Sequence, residues 1–316
     1  MAKRVVVSTP RKWPAFGRDD ALTGIPVAGS FEAMHETRDL PTNAFECGVK
    51  RLYKYRALGD SLARSGGPRS TQAVIESVSE CQLYAATPVE MNDPFECRMR
   101  PGKTPSIQQY KSFVEQLASE MHSGGHAALA NGLEDSTRGL NGDLESLHKA
   151  VAWLVEEHLR KVRIVSLTAT NNNTVMWSHY AAGHRGVCLG FEVTQGTIFG
   201  EALEVHYETP LPEYTLGELN LGIMAEVLLL TKSNEWRHEA EWRILVSNPS
   251  NPEATTHVLR YEPHSLSEVI FGVRVCHDDE AAIRAACARF PWVRFGKIVE
   301  AAAEVVVEWE GTSLRA

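Results

Sequence analysis

The sequence predicts an α+β fold with a mixed or antiparallel sheet at its core and a helical insertion. Three observations carry that expectation. Short segments with period-two alternation recur from residue 51 to residue 309. Helical periodicity gathers in one region, about residues 104–160, instead of following each strand in turn. No GxGxxG or Walker loop is present, so a dinucleotide-binding βαβ core is not indicated.

Taken in order, residues 1–50 contain Pro10, Pro14, Pro26 and Pro41, show little periodicity and read as an N-terminal extension, with one short strand at 4–8. Residues 51–316 read as a single domain carrying the insertion. RLYKYR at 51–56 alternates, with Tyr53 and Tyr55 on one face. Gly66-Gly67-Pro68 is a turn, 71–79 a short helix and 81–85 a strand. Asn92-Asp93-Pro94 is a turn signal, because proline holds Asp93 extended and both side chains bond nearby backbone. Thr104 caps a helix with Pro105 at its first position, Ile107, Tyr110, Val114, Leu117 and Met121 form its stripe, and Gly124-Gly125 breaks it. A second amphipathic helix starts near Asp143.

Residues 163–168, RIVSLT, are expected as a strand, and Thr174 as the cap of a short helix that stops at Gly183. Strands follow at 186–193 and 203–207. Thr215 and Glu218 make a capping box before a helix through Leu230. Strands at 257–261 and 269–271, a helix capped by Asp278, and closing strands at 293–296 and 305–309 complete the chain.

Composition narrows the function. An apolar fraction of 43% with 23% charged residues is that of an ordinary soluble globular protein. The formal charge of −8 implies no general affinity for nucleic acid. The basic start lacks the apolar run of a secretory signal, and no apolar run reaches membrane-spanning length, so a cytoplasmic protein with no membrane partner is expected. The six cysteines form no CxxC and read as reduced. His179 and His184 lack the glutamate of a zincin helix, so hydrogen bonding is favoured over zinc and no metal is expected.

The densest chemistry lies in TKSNEWRHEAEWRILV, residues 231–246. From Ala240 the residues alternate, which predicts a strand holding Glu239 and Glu241 on one face, roughly 6.5–7 Å apart. Carboxylates so close repel, and one has its pKa raised, which suits acid–base work or stabilisation of a cation. An exposed strand face with Glu241 paired to Arg237 or Arg243 explains the pattern equally well.

YKYR (53–56), MNDPFE (91–96), MWSHYAAGHRGVCLGFEV (176–193), KSNEWRHEAEWRI (232–244) and EVIFG (268–272) together resemble a bacterial family known as domain of unknown function 2971. Some relatives look like parts of phage-defence or toxin loci, and the family carries no settled activity. The layout is also similar to the ADP-ribosyltransferases. That second resemblance implies an ADP-ribosyltransferase-like fold with NAD as substrate and a set of roles. Arg56 would hold the pyrophosphate. Ser166 would stand on the Ser-x-Thr strand edge. Trp177 or Tyr180 would stack on nicotinamide, and His179 would bond a ribose hydroxyl. Asn92 and Asp93 would shape the rim. Glu241 would be the catalytic carboxylate and Glu239 would orient the acceptor. The serine strand reads SLTAT where that family has Ser-Thr-Ser, and the interval from Arg56 to Ser166 is long. The acceptor is open: protein, nucleic acid, small molecule or water. Two other classes remain: a magnesium-dependent nuclease or phosphodiesterase built on Asp93, Glu96, Glu239, Glu241 and Lys232, and a non-catalytic ligand sensor.

Overall fold

An eight-stranded sheet organises the chain. In the computed structural model, residues 42–59, 71–98, 106–123, 127–138, 159, 162–211, 228–247, 258–301 and 304–311 are described. The expected elements at 4–8, 66–68, 104–105, 124–125, from 143 and at 215–218 lie outside them.

The chain enters β1 (Arg51–Arg56), then α1 (Thr71–Ser79), β2 (Gln82–Tyr84), α2 (Ile107–Ser123) and α3 (Ala127–Arg138). It continues through β3 (Val162–Thr168), α4 (Thr174–Tyr180), β4 (Val187–Glu192), β5 (Leu203–Glu204), β6 (His206–Glu208), β7 (Thr231–Ser233) and β8 (Glu241–Ser247). It closes with β9 (Val258–Arg260), β10 (Leu266–Phe271), α5 (His277–Cys287), β11 (Arg294–Ala301) and β12 (Glu304–Trp309). The large sheet runs β12-β11-β10-β4-β1-β3-β8-β5. Its described pairs are antiparallel except β10 with β11, which is parallel. Parallel neighbours need a long crossover, and α5 supplies it. The expected mixed α+β architecture is therefore present, with α2 and α3 as a helical pair inside the stretch expected as an insertion. Among the described residues no helix is long and apolar enough to cross a membrane.

Alternation sorts the side chains onto two faces. Leu52, Val165, Leu167, Leu189, Phe191, Trp242 and Ile244 meet Val74 and Val78 of α1 and Ile283 and Cys287 of α5 in the larger core. On the opposite face Tyr53, Tyr55, Cys188, Ile270 and Ile298 pack against Met176 and Trp177 of α4. Register carries Ser166 opposite Arg243 and Thr168 opposite Glu241, on this second face.

Several expected boundaries move for local reasons. The cap of α4 is Asn173, not Thr174: its Oδ1 accepts from the N–H groups of Val175 and Met176. The last helix is capped by Cys276, whose Sγ accepts from the Asp279 N–H. The strand expected at 203–207 breaks at Val205, whose N–H donates to Glu241 O at 3.0 Å; its halves join β8 and β7 separately. Gly186, before β4, has no room for a side chain, since a Cβ would lie 2.1 Å from Arg56 O. The last residues of the expected extension are tied down: Ala44 N–H donates to Ala202 O at 2.8 Å, and Asn43 bridges Leu203.

Candidate functional site

The expected strand pair of Glu239 and Glu241 is not on one strand. Residues 234–239 form a 3-10 helix, and Ala240 turns left-handed at φ 42° before β8 begins at Glu241. Non-glycine residues rarely take that conformation, so alternation across 239–241 gave no warning of it. The turn still brings the two carboxylates together. Lys232 Nζ donates to Glu239 Oε2 at 2.6 Å and to Glu241 Oε2 at 3.0 Å. Glu96 Oε2 lies 3.5 Å from the same ammonium. Arg243 donates from Nε to Glu241 Oε1 at 2.8 Å and from a terminal nitrogen to Oε2 at 2.9 Å, and it also pairs with Glu96. All five side chains are buried, none more than 5% exposed.

Each member is held by a separate element. Lys232 sits in β7 at the register position of Tyr207 and lies 5.0 Å from the Trp236 ring. Tyr207 Oη accepts from Glu241 N–H at 2.8 Å. Arg243 also donates to Leu229 O at 2.6 Å. Asn173 Nδ2 donates to His238 O at 2.7 Å, which ties the start of α4 to the 3-10 turn. A hydrogen-bonded route leads outward from the cluster. Tyr180 Oη donates to Glu239 Oε1, and the exposed Asn92 donates from Nδ2 to Tyr180 Oη at 2.9 Å.

Charge follows from this geometry. Three carboxylates face two cations, so one negative charge is in excess when all are ionised. Burial would lower Lys232, but Glu241 and Glu239 outweigh it and hold the ammonium well above its usual range. Burial pushes the Glu241 carboxyl up, against the pull of Lys232 and a hydrogen bond from Ser166. Both Glu241 oxygens already accept bonds from cations, which keeps it ionised. Burial and the Glu239 carboxylate push the Tyr180 phenol up, so it stays protonated and serves as a donor. Arg243 is lowered by burial, yet it remains the fork that fits the carboxylate.

Lys54 stands apart. Its Nζ donates to the Ser166 carbonyl at 2.8 Å, and its pKa is pushed down to about 7 by burial and by Arg56, with Glu241 pulling it back. Below that value the folded chain carries a cation its surroundings disfavour. Between about 7 and the ordinary ~10.4 the unfolded chain binds the extra proton, so stability rises with pH across that window. Lys54→Met should therefore stabilise the fold most at pH 6, and the advantage should fade as the pH approaches 10. Urea unfolding of both proteins at several pH values measures this.

The remaining candidates divide. Ser166 and Tyr180 reach the cluster. Asn92 forms the outer contact, and Asp93 shapes its turn, with Oδ1 accepting from Phe95 N–H at 2.8 Å. His179 is exposed on α4. Trp177 is fully enclosed, edge-on to Tyr55 at 5.1 Å, with Nε1 donating to Asn171 O. A ring packed that way offers no face to a ligand, so the nicotinamide-stacking role does not fit Trp177. Arg56 is half-buried at the end of β1; alternation puts it on the side opposite Tyr55, away from Trp177. A single hollow lined by Arg56, Trp177 and Glu241 is therefore not what forms. Tyr207 and Lys54 had no role assigned from the sequence, and Arg243 was expected only as an alternative to Arg237 for pairing Glu241 on an exposed face; the pair forms, but buried. Among the described residues no group of three or more His, Cys, Asp or Glu is placed to hold a metal ion. Lys232 stands where the three carboxylates meet.

Residues 176–244 match the family model described as a protein of unknown function (DUF2971). The matched span runs from α4 into β8, so the part similar to DUF2971 carries Tyr180, Lys232, Glu239, Glu241 and Arg243, while Asn92 and Glu96 lie before it. No curated protein and no solved structure matches the chain, and the resemblance to ADP-ribosyltransferases gains no support from either comparison.

Proposed function

We propose that this protein cleaves the nicotinamide–ribose bond of NAD and passes the ADP-ribosyl group to an acceptor, in the manner of an ADP-ribosyltransferase or NAD glycohydrolase acting in phage defence or as a toxin. The observation that carries the reading is the chain Glu239–Tyr180–Asn92, which leads from a buried cluster with excess negative charge to an exposed rim. Breaking the bond moves positive charge from the nicotinamide ring onto the sugar. A fixed anion next to the rim stabilises that charge as it develops. Glu239 is the carboxylate nearest the rim and takes this role. Glu241, closed off by Lys232 and Arg243, holds the charge and geometry behind it. Tyr180 orients the Glu239 oxygen with its proton and accepts from Asn92 at the rim. His179 serves a ribose hydroxyl.

A metal-dependent phosphodiesterase is less well served by this geometry. A divalent ion needs carboxylates turned towards an open position, and here they turn towards Lys232. Incubating the purified protein with NAD, with and without a chelator, separates the two. Free nicotinamide released in the presence of chelator supports glycosidic cleavage. Phosphodiester cleavage that requires magnesium overturns it.

A further inference from the structure

We infer that Glu96 is a positioning residue of this site, which fixes the turn at residues 91–97 so that Asn92 meets Tyr180. The inference rests on the proposed role of the Glu239–Tyr180 pair, but it can be tested without turnover.

The turn lies at the surface. Asn92, Pro94, Phe95 and Arg98 are exposed, with Phe95 at 62%. Glu96 alone sends a carboxylate from it to the cluster, and its side chain is 1% exposed. That carboxylate pairs with Arg243 of β8 and stands 3.5 Å from Lys232 of β7. Within the turn the backbone is internally braced: Asp93 Oδ1 accepts from Phe95 N–H, and Asp93 O accepts from Glu96 N–H at 3.1 Å. Cys97 is left-handed at φ 54°, which reverses the chain directly after the tether. A braced turn moves as a unit, so anchoring Glu96 also sets the place of Asn92, four residues earlier. Burying a carboxylate is unfavourable unless cations meet it, and the two cations it meets are those that hold Glu239 and Glu241. Glu96 therefore joins the outer and inner parts of the site through Arg243 and Lys232.

The alternative is that Glu96 only balances the charge of Arg243, with Asn92 placed by the local turn alone. Glu96→Gln and Glu96→Asp distinguish these. Asp keeps the charge but is one methylene shorter, so it tests reach and not charge, and it serves where Gln does not fold. The probe is the NOE between the Asn92 side-chain amide and the Tyr180 ring in the unliganded protein, followed by titration of tyrosine labelled at Cζ. In the wild type the NOE should be present and Tyr180 should titrate far above the ordinary ~10. In Glu96→Asp the NOE should be lost and Tyr180, without the Asn92 hydrogen bond that lowers it, should move further up. Tyr261, buried in the core on the other face of the sheet, should not change.

An unchanged NOE and titration in folded Glu96→Asp overturns the inference. So does a fall of Tyr180 together with Tyr261, which would mean general loosening. A protein that releases no nicotinamide yet shows the expected NMR changes would refute the proposed reaction and leave this positioning role standing.

Discussion

Lys232→Met should lower the stability of the fold by about 3–5 kcal/mol, the effect of breaking a buried ion pair from one side. Methionine fills a similar volume, so packing changes little and the loss is electrostatic. Lys232 is the one cation placed between Glu239, Glu241 and Glu96. Without it, Glu96 and Glu241 share Arg243, and Glu239 keeps only the Tyr180 hydrogen bond among those described. The variant should recover part of the lost stability as the pH falls into the carboxylate range, because its unpaired carboxylates bind protons more readily folded than unfolded. Urea unfolding followed by far-UV circular dichroism at pH 7 and pH 4.5 measures both effects. A variant as stable as the wild type at pH 7 would mean that Lys232 is not the hub of the cluster.

Glu239→Gln should lower kcat/KM for nicotinamide release by about 100- to 1,000-fold, the range for losing one well-placed group that stabilises transition-state charge. Glutamine preserves the shape, but its single oxygen replaces two acceptors, so it keeps the bond from Tyr180 or the one from Lys232 and removes the charge with the other. With one negative charge gone, the cluster is neutral and the rim no longer favours a cationic sugar. Near-equal losses in kcat and kcat/KM would mark an interaction made in the transition state. A folded Glu239→Gln protein with activity within about threefold of the wild type would remove Glu239 from the mechanism.

Much of the sheet was legible because half-buried strands announce themselves by alternation. RLYKYR and RIVSLT are strands for the reason the pattern gives, and the apolar side of each faces the core. The site was legible only in part. The sequence brought Glu239 and Glu241 to notice as a strand pair, yet they meet through a left-handed turn at Ala240 and a lysine seven residues before Glu239. Periodicity carries no information about such a turn. Trp177 was assigned to nicotinamide only through the resemblance to ADP-ribosyltransferases, but its helical position points it into the sheet. Arg243 read as a surface partner for Glu241. It is fully buried, since α4 and the segment around β7 cover a strand face that would otherwise meet solvent. Glu96 could not be linked to Arg243 from sequence at all, because 146 intervening positions leave no local pattern to read.

The place where NAD sits decides the role of Glu239. Intermolecular NOEs from the nicotinamide protons to the folded but inactive Glu239→Gln protein locate it directly. Contacts to the Asn92 amide and the Tyr180 ring are the predicted result. NAD seated away from both, or no NAD-dependent NOE at saturating concentration, would contradict it.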